Sequence, residues 1–361
     1  TRCSICETPI MTGVLGFTRF PSLVGNIQGF ISGQTFCHRS PGTKLNRSRN
    51  DKDALTMKIA VTAWKFGTQG LAQELAEQGE IAESLGFDSF WLPENHFTGP
   101  AAIPAPLMLL AAVAARTNKI KLGTTSYLLP IRNPILAAEE VAVLDRLSGG
   151  RVILGIGRGF QASMFKPFGI PTSEKRKLFK SNLELMITAW KGEPIDEFEG
   201  TDITLSPLPV QQPHPPLWVA AFGPLAIKQA GTLGLPYIAS PVETLSSLKE
   251  NILAHQGHVR DTGHPPVTIT PVMRTVFVTD NPALEKQVRE SLGAEVASRF
   301  RDTATGVDEW AIVGDSIAIK DKLAQYEETL GLNYLIARGR IQGVDNDDQV
   351  RSHELLLKAA G

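Results

Sequence analysis

The chain has 361 residues, 42% hydrophobic and 20% charged, the composition of a globular protein long enough to bury a core without disulfide or metal staples. Its 36 basic and 37 acidic side chains leave a net charge of -1, so no overall field draws it to nucleic acid or to an anionic membrane. No apolar run approaches the ~18 residues of a transmembrane helix, so neither nucleic acid nor membrane is an expected partner.

The first 56 residues differ from the rest. They carry Arg2, Arg19, Arg39, Lys44, Arg47, Arg49 and Lys52 against Glu7, Asp51 and Asp53, a net +4 where the remainder is -5. They also hold all three cysteines, Cys3, Cys6 and Cys37, with no second pair at zinc-site spacing. No helix or strand period runs through this stretch, which reads as an unstructured or non-native leader ahead of a domain spanning 57–361. A cysteine-free domain suits a reducing compartment such as the cytoplasm and excludes thiolate chemistry.

From Met57 onward short apolar runs alternate with amphipathic stretches, the pattern of a parallel sheet covered on both faces. Eight strands are predicted: Lys58 to Trp64, Asp88 to Leu92, Lys119 to Thr125, Arg151 to Gly157, Leu217 to Ala221, Pro236 to Ser240, Val267 to Phe277 and Asn333 to Arg338. Between them Leu71, Leu75, Ala82 and Leu85 share a helical face closed by Gly86, and Asn133-Pro134 supplies an N-cap and a first-turn proline. Eight such units in an α/β chain favour a (β/α)8 TIM barrel with insertions over an open doubly wound sheet. The proline-rich Gly192 to Pro216 is an expected insertion with a short hairpin near Ile203 to Leu205, and Arg299 to Asp315 an expected mobile flap.

In a barrel the chemistry sits where strands run into βα loops. The second strand runs into Glu94-Asn95-His96, a carboxylate, an amide and an imidazole, groups able to hydrogen-bond a ligand and move a proton near neutral pH. The fourth ends in Gly155-Ile156-Gly157-Arg158-Gly159. This is not a dinucleotide fingerprint, yet its glycines let a flat ligand approach while Arg158 forks onto a phosphate. Arg176 is a second basic position, within the charge run Ser173-Glu174-Lys175-Arg176-Lys177, a pattern that is usually a solvated face. Ala221-Phe222-Gly223 leads into a helix start suited to an anion, and Arg338-Gly339-Arg340 is a rival phosphate site that spacing alone does not separate from it. Trp64, Phe66, Tyr127, Phe160, Met164 and Phe165 fall near strand ends, where they would line an apolar aromatic pocket.

Trp91-Leu92-Pro93-Glu94-Asn95-His96-Phe97-Thr98, Leu122-Gly123-Thr124-Thr125-Ser126-Tyr127-Leu128-Leu129-Pro130, Asn133-Pro134, Glu139 to Asp145, Ser148-Gly149-Gly150-Arg151 and Gly155 to Gly159 together resemble, in order and spacing, the bacterial luciferase-like flavin monooxygenases. The resemblance implies a luciferase-like barrel that binds reduced flavin mononucleotide (FMN) supplied by a separate flavin reductase. It further implies that the chain uses oxygen to oxidise a small organic substrate and works as a homodimer. Carried over by position, Glu94 lies near the flavin. Ser126 sits at a bulge against its ring, where the family often has a cis peptide after Thr125. Gly157 lies alongside, Arg158 and Arg176 hold the phosphate, and Ala221 and Gly223 assist from the next strand end, which disfavours Arg338.

His96 is the implied proton-handling catalytic residue, with Asn95 beside it. The luciferase proper has a second histidine, its catalytic base, where Asn95 stands; its reactive cysteine corresponds to Gly157, and a substrate-side acid to Met164. These departures point away from light emission. They leave, as alternatives, hydride transfer with a reduced deazaflavin coenzyme, used by a neighbouring branch of the superfamily, and non-catalytic flavin binding.

Overall fold

The computed structural model describes residues 57–67, 71–99, 102–299 and 306–361, with backbone alone for 296–299; the expected leader over 1–56 lies outside them. In chain order the elements are β1 (Lys58–Thr62), α1 (Leu71–Leu85), β2 (Ser89–Leu92), α2 (Pro106–Arg116), β3 (Lys121–Thr124), β4 (Tyr127–Leu128), α3 (Pro134–Leu147), β5 (Val152–Gly157), α4 (Ala162–Phe165), α5 (Lys175–Trp190), β6 (Asp196–Phe198) and β7 (Thr201–Ile203). There follow β8 (Leu217–Ala220), α6 (Pro224–Thr232), β9 (Tyr237–Ile238), α7 (Leu245–Asp261), β10 (Pro271–Val278), α8 (Pro282–Arg299), β11 (Ala311–Gly314), α9 (Ser316–Leu330), β12 (Tyr334–Arg338) and α10 (Asn346–Ala360). No described helix is long and apolar enough to cross a membrane.

Each of the eight predicted strands has a counterpart, in β1, β2, β3, β5, β8, β9, β10 and β12. The sheet is parallel and curled, in the order β11-β10-β12-β1-β2-β3-β5-β8-β9, with β4 paired to β5. Alternation along each strand divides the core. Ile59, Val61, Phe90, Leu92 and Leu122 face the helices, while Ala60, Trp91, Ile153, Trp218, Met273 and Ile336 fill the inside of the curl. There the Trp91 and Trp218 rings stack at 5.1 Å. A Cβ on Gly123 would lie 2.2 Å from the Trp91 ring, so the glycine makes room for the indole.

Among the described residues β9 and β10 share no backbone ladder. The fully buried Arg274 of β10 spans that seam instead, donating from Nη1 to the Ser240 carbonyl (3.2 Å) and from Nη2 to the Glu243 carbonyl (2.6 Å), while its Nε donates to Tyr326 Oη (3.0 Å).

Local signals act as read. Asn133 Oδ1 accepts from the Ile135 and Leu136 amides at the start of α3, and Gly86 after α1 has φ +99°. The insertion carries an antiparallel hairpin, β6 with β7, turned by Glu199 and Gly200, both at positive φ; it ends at Ile203, earlier than expected.

One expectation needs correction. The stretch read as a flap contains β11, a buried strand paired with β10 from Thr275↔Ala311 to Val278↔Gly314; its residues 300–305 lie outside the described ones. After β5, Phe160 and Gln161 lead into the short α4, which buries Met164 and Phe165.

His353 of α10 packs edge-on to Trp64 (4.8 Å) and Phe87 (5.6 Å), and its buried Nε2 has no hydrogen-bond partner among the described residues. Burial pushes this imidazole down from its usual value of 6.5 to about 3. Between those two values the unfolded chain takes up a proton that the folded chain refuses, so stability falls as pH drops through that window. His353→Leu should flatten the fall, read as denaturant midpoints across the acid range; an equally steep fall in the variant would contradict the assignment.

Candidate active site

At the end of β2, Glu94 turns inward with its side chain fully buried. Oε1 accepts from His96 Nε2 (2.7 Å) and Arg132 Nη2 (2.6 Å), and Oε2 accepts from the Leu128 amide (2.9 Å). One carboxylate thus ties the β2 loop to β4 and to the turn before α3. The Arg132 guanidinium also lies 3.8 Å over the Tyr127 ring, whose hydroxyl donates to Glu140 (3.0 Å). Burial drives the Tyr127 phenol well above its usual range, with Glu140 adding to the effect and Arg132 opposing it. The His96 ring packs against Phe168 at 5.1 Å and Phe97 at 5.9 Å. Asn95 Oδ1 accepts from Thr98 Oγ1 (2.7 Å) and the Ile103 amide (3.0 Å), so that side chain clamps its own loop.

The peptide between Thr125 and Ser126 is cis, which separates β3 from β4. A Cβ on Gly157 would meet Ser126 Oγ at 2.0 Å, so only a glycine at the end of β5 lets the serine lie against it. Arg158 follows. Its Nη1 is buried without a hydrogen-bond partner among the described residues, and burial, then Arg176, lowers the guanidinium's proton affinity. Lys175 Nζ donates to the Gly159 carbonyl (3.3 Å); burial, then Arg158 and Arg176, holds its ammonium below the usual lysine value. Among the described residues neither Arg158 nor Lys175 has a carboxylate in an ion pair, and the charges that shift them are cationic. Arg338 at the end of β12 is the opposite case, ion-paired with Glu295 at 2.5 Å. Beyond β8, Ala221 is buried, and Gly223 (φ +81°) precedes Pro224 at the start of α6.

Ser126 lies against Gly157, the residue before Arg158, and Glu94 meets His96. The six aromatic and methionine positions do not converge. Trp64 packs on Phe90, Phe66 lies under Arg340, and Tyr127 lies beneath Arg132. Met164 and Phe165 share a separate small cluster, while Phe160 is 85% exposed. Arg132 carries no signal in the sequence beyond its place before the Asn133 cap, and Lys175 is one charge among several in the run Ser173 to Lys177.

The profile of the luciferase-like monooxygenases matches residues 57–333. The chain belongs to that family. It is 30% identical over 191 residues to the oxygenase component of flavin-dependent trigonelline monooxygenase from Acinetobacter baylyi, covering 51% of this chain and 53% of that one. It spans about half the length of the curated relatives it matches. Its fold is that of the oxygenating constituent of 3,6-diketocamphane monooxygenase from Pseudomonas putida, solved with FMN (TM-score 0.73, 22% identity, 84% of this chain and 98% of that one). It is also that of an F420-dependent secondary alcohol dehydrogenase (TM-score 0.69, 19% identity, 85% and 99%).

Glu94→Gln should destabilise the protein by about 3–5 kcal/mol, the cost of stranding one member of a buried ion pair, and adding Arg132→Met should restore part of the loss. Urea unfolding of both variants checks this; a double variant no more stable than Glu94→Gln would show that the two side chains act independently.

Proposed function

We propose that this chain is the oxygenase component of a flavin-dependent monooxygenase, taking reduced FMN from a separate reductase and using oxygen to oxidise a small organic substrate. The observation that carries the reading is Arg158 at the end of β5, with a buried donor lacking any acceptor and cationic neighbours. Such a group is costly unless an anion meets it, and a flavin phosphate fits that need. Reduced flavin, when bound, supplies two electrons and reacts with oxygen, whereas a deazaflavin supplies a hydride and does not react with oxygen.

The chain's own residues do the rest. Arg158 and Arg176 bind the phosphate, and Gly223, with Ala221 beside it, presents the start of α6 to the same ligand. Thr125, Ser126 and Gly157 flank the ring. Glu94 orients His96 and Arg132, Asn95 holds the loop that carries His96, and His96 holds or releases a proton at its ring nitrogens. A second copy of the chain is the proposed assembly partner, for which exposed Met108 on α2 and Leu136, Val143 and Leu147 on α3 offer an apolar face. Likeness to the F420-dependent dehydrogenase supports a second reading, a deazaflavin-dependent oxidoreductase, which would turn over without oxygen.

Arg158→Ala should weaken FMN binding by about 1.5–3 kcal/mol, the worth of a hydrogen bond to a charged group, and leave riboflavin, which lacks the phosphate, nearly unchanged. Fluorescence titration with both flavins measures this, and equal losses would place Arg158 away from the phosphate. Once a substrate is in hand, His96→Ala should retain FMN affinity within a few-fold while turnover falls by about 10²–10⁴, the range for a general acid-base group. Unchanged turnover at full flavin loading would remove His96 from that role.

A further inference from the structure

We infer that Lys175 is a specificity-determining residue of the flavin site, a third cation that matches the site to a doubly charged terminal phosphate. The inference rests on the flavin reading and deepens it. Lys175 opens α5, and its ammonium reaches back to the carbonyl of Gly159, the residue after Arg158. Its Nζ also stands 5.9 Å over the Phe165 ring. The next residue on α5 is the exposed Arg176, so two cations open the helix whose first side chain reaches back to the Arg158-Gly159 turn.

The placement opposes the usual electrostatics of a helix. The positive end of the backbone dipole favours acidic side chains in the first turn, yet the first turn of α5 has no acidic residue, and Glu174, its N-cap, makes no capping hydrogen bond. Burial first, and then repulsion from the neighbouring cations, lowers the proton affinity of both Arg158 and Lys175. A ligand that relieves this repulsion must bring negative charge, and the more it brings the larger the gain.

A terminal phosphate monoester carries between one and a half and two negative charges at pH 7, because its second ionisation falls near pH 6; a phosphodiester carries one. Two arginines suffice for a bidentate grip on either. The added point charge of a lysine favours the monoester of FMN over a flavin whose phosphate is doubly substituted, such as flavin adenine dinucleotide (FAD).

The test is fluorescence titration of the full chain and of Lys175→Met and Lys175→Arg with oxidised FMN, FAD and riboflavin, alongside melting temperatures. Lys175→Met should weaken FMN binding about tenfold, near the lower bound for one charge-assisted contact. It should weaken FAD less and leave riboflavin within about twofold, while Lys175→Arg keeps most of the FMN affinity. The salt dependence of FMN binding should also become shallower in Lys175→Met. Equal losses for FMN and riboflavin would reduce Lys175 to a support for the Gly159 turn, and unchanged FMN affinity would remove it from the site; either overturns the inference. If the unaltered chain binds FMN no more tightly than riboflavin, the phosphate reading itself fails and this inference with it. Tight FMN binding that ignores Lys175 sinks the inference alone.

Discussion

The Glu94 carboxylate is the constraint on which the rest of the site depends. It lies out of water, and in a low-dielectric setting an ionised carboxylate persists only if donors surround it. The donors come from three places: an imidazole two residues on, the backbone amide of Leu128 in β4, and the guanidinium of Arg132. Moving any one of them strands charge. The carboxylate therefore fixes the β2 loop against β4, and β4 pairs with β5 from Tyr127↔Ile156 to Leu128↔Gly157. That register brings Ser126 into the space left by the missing Cβ of Gly157, and Arg158 is the next residue along.

Two arginines at strand ends show how charge balance separates structure from binding. Arg338 and Glu295 neutralise each other, and Arg338 Nη1 also reaches Thr275 Oγ1 (3.4 Å). Those contacts support the wall where α8 meets the sheet. Arg158, by contrast, lies among like charges. Barrels often bind phosphate beyond their last two strands, but here Arg338 is already paired, whereas Arg158 Nη1, beyond β5, has no hydrogen-bond partner among the described residues.

Much of the architecture was legible because it rests on local rules. Buried parallel strands read as continuous apolar runs, Asn133-Pro134 caps a helix by its own chemistry, and Gly86 ends one because it adopts positive φ. What escaped was decided by tertiary partners. The Ala311–Gly314 strand is a four-residue apolar run within a stretch that otherwise reads as a loop, and its pairing with β10 is what makes it a strand. Trp64 looks like a pocket residue from its place after a strand, yet alternation turns it toward Phe90 and His353. In the site, Glu94, His96 and Arg158 stand out as strand-end groups, whereas Arg132 matters only through Glu94, 38 residues away in the chain. Lys175 sits in a run that usually means a solvated surface, and only the fold sets it beside Arg158.

The most direct measurement is a crystal structure of this chain with FMN. The account predicts phosphate oxygens at about 2.7–3.0 Å from Arg158 Nη1, ordinary charge-assisted hydrogen-bond range, with the ring against Ser126 and Gly157. A phosphate seated at Arg338-Gly339-Arg340, or a flavin bound with Arg158 Nη1 still lacking an acceptor, would contradict it.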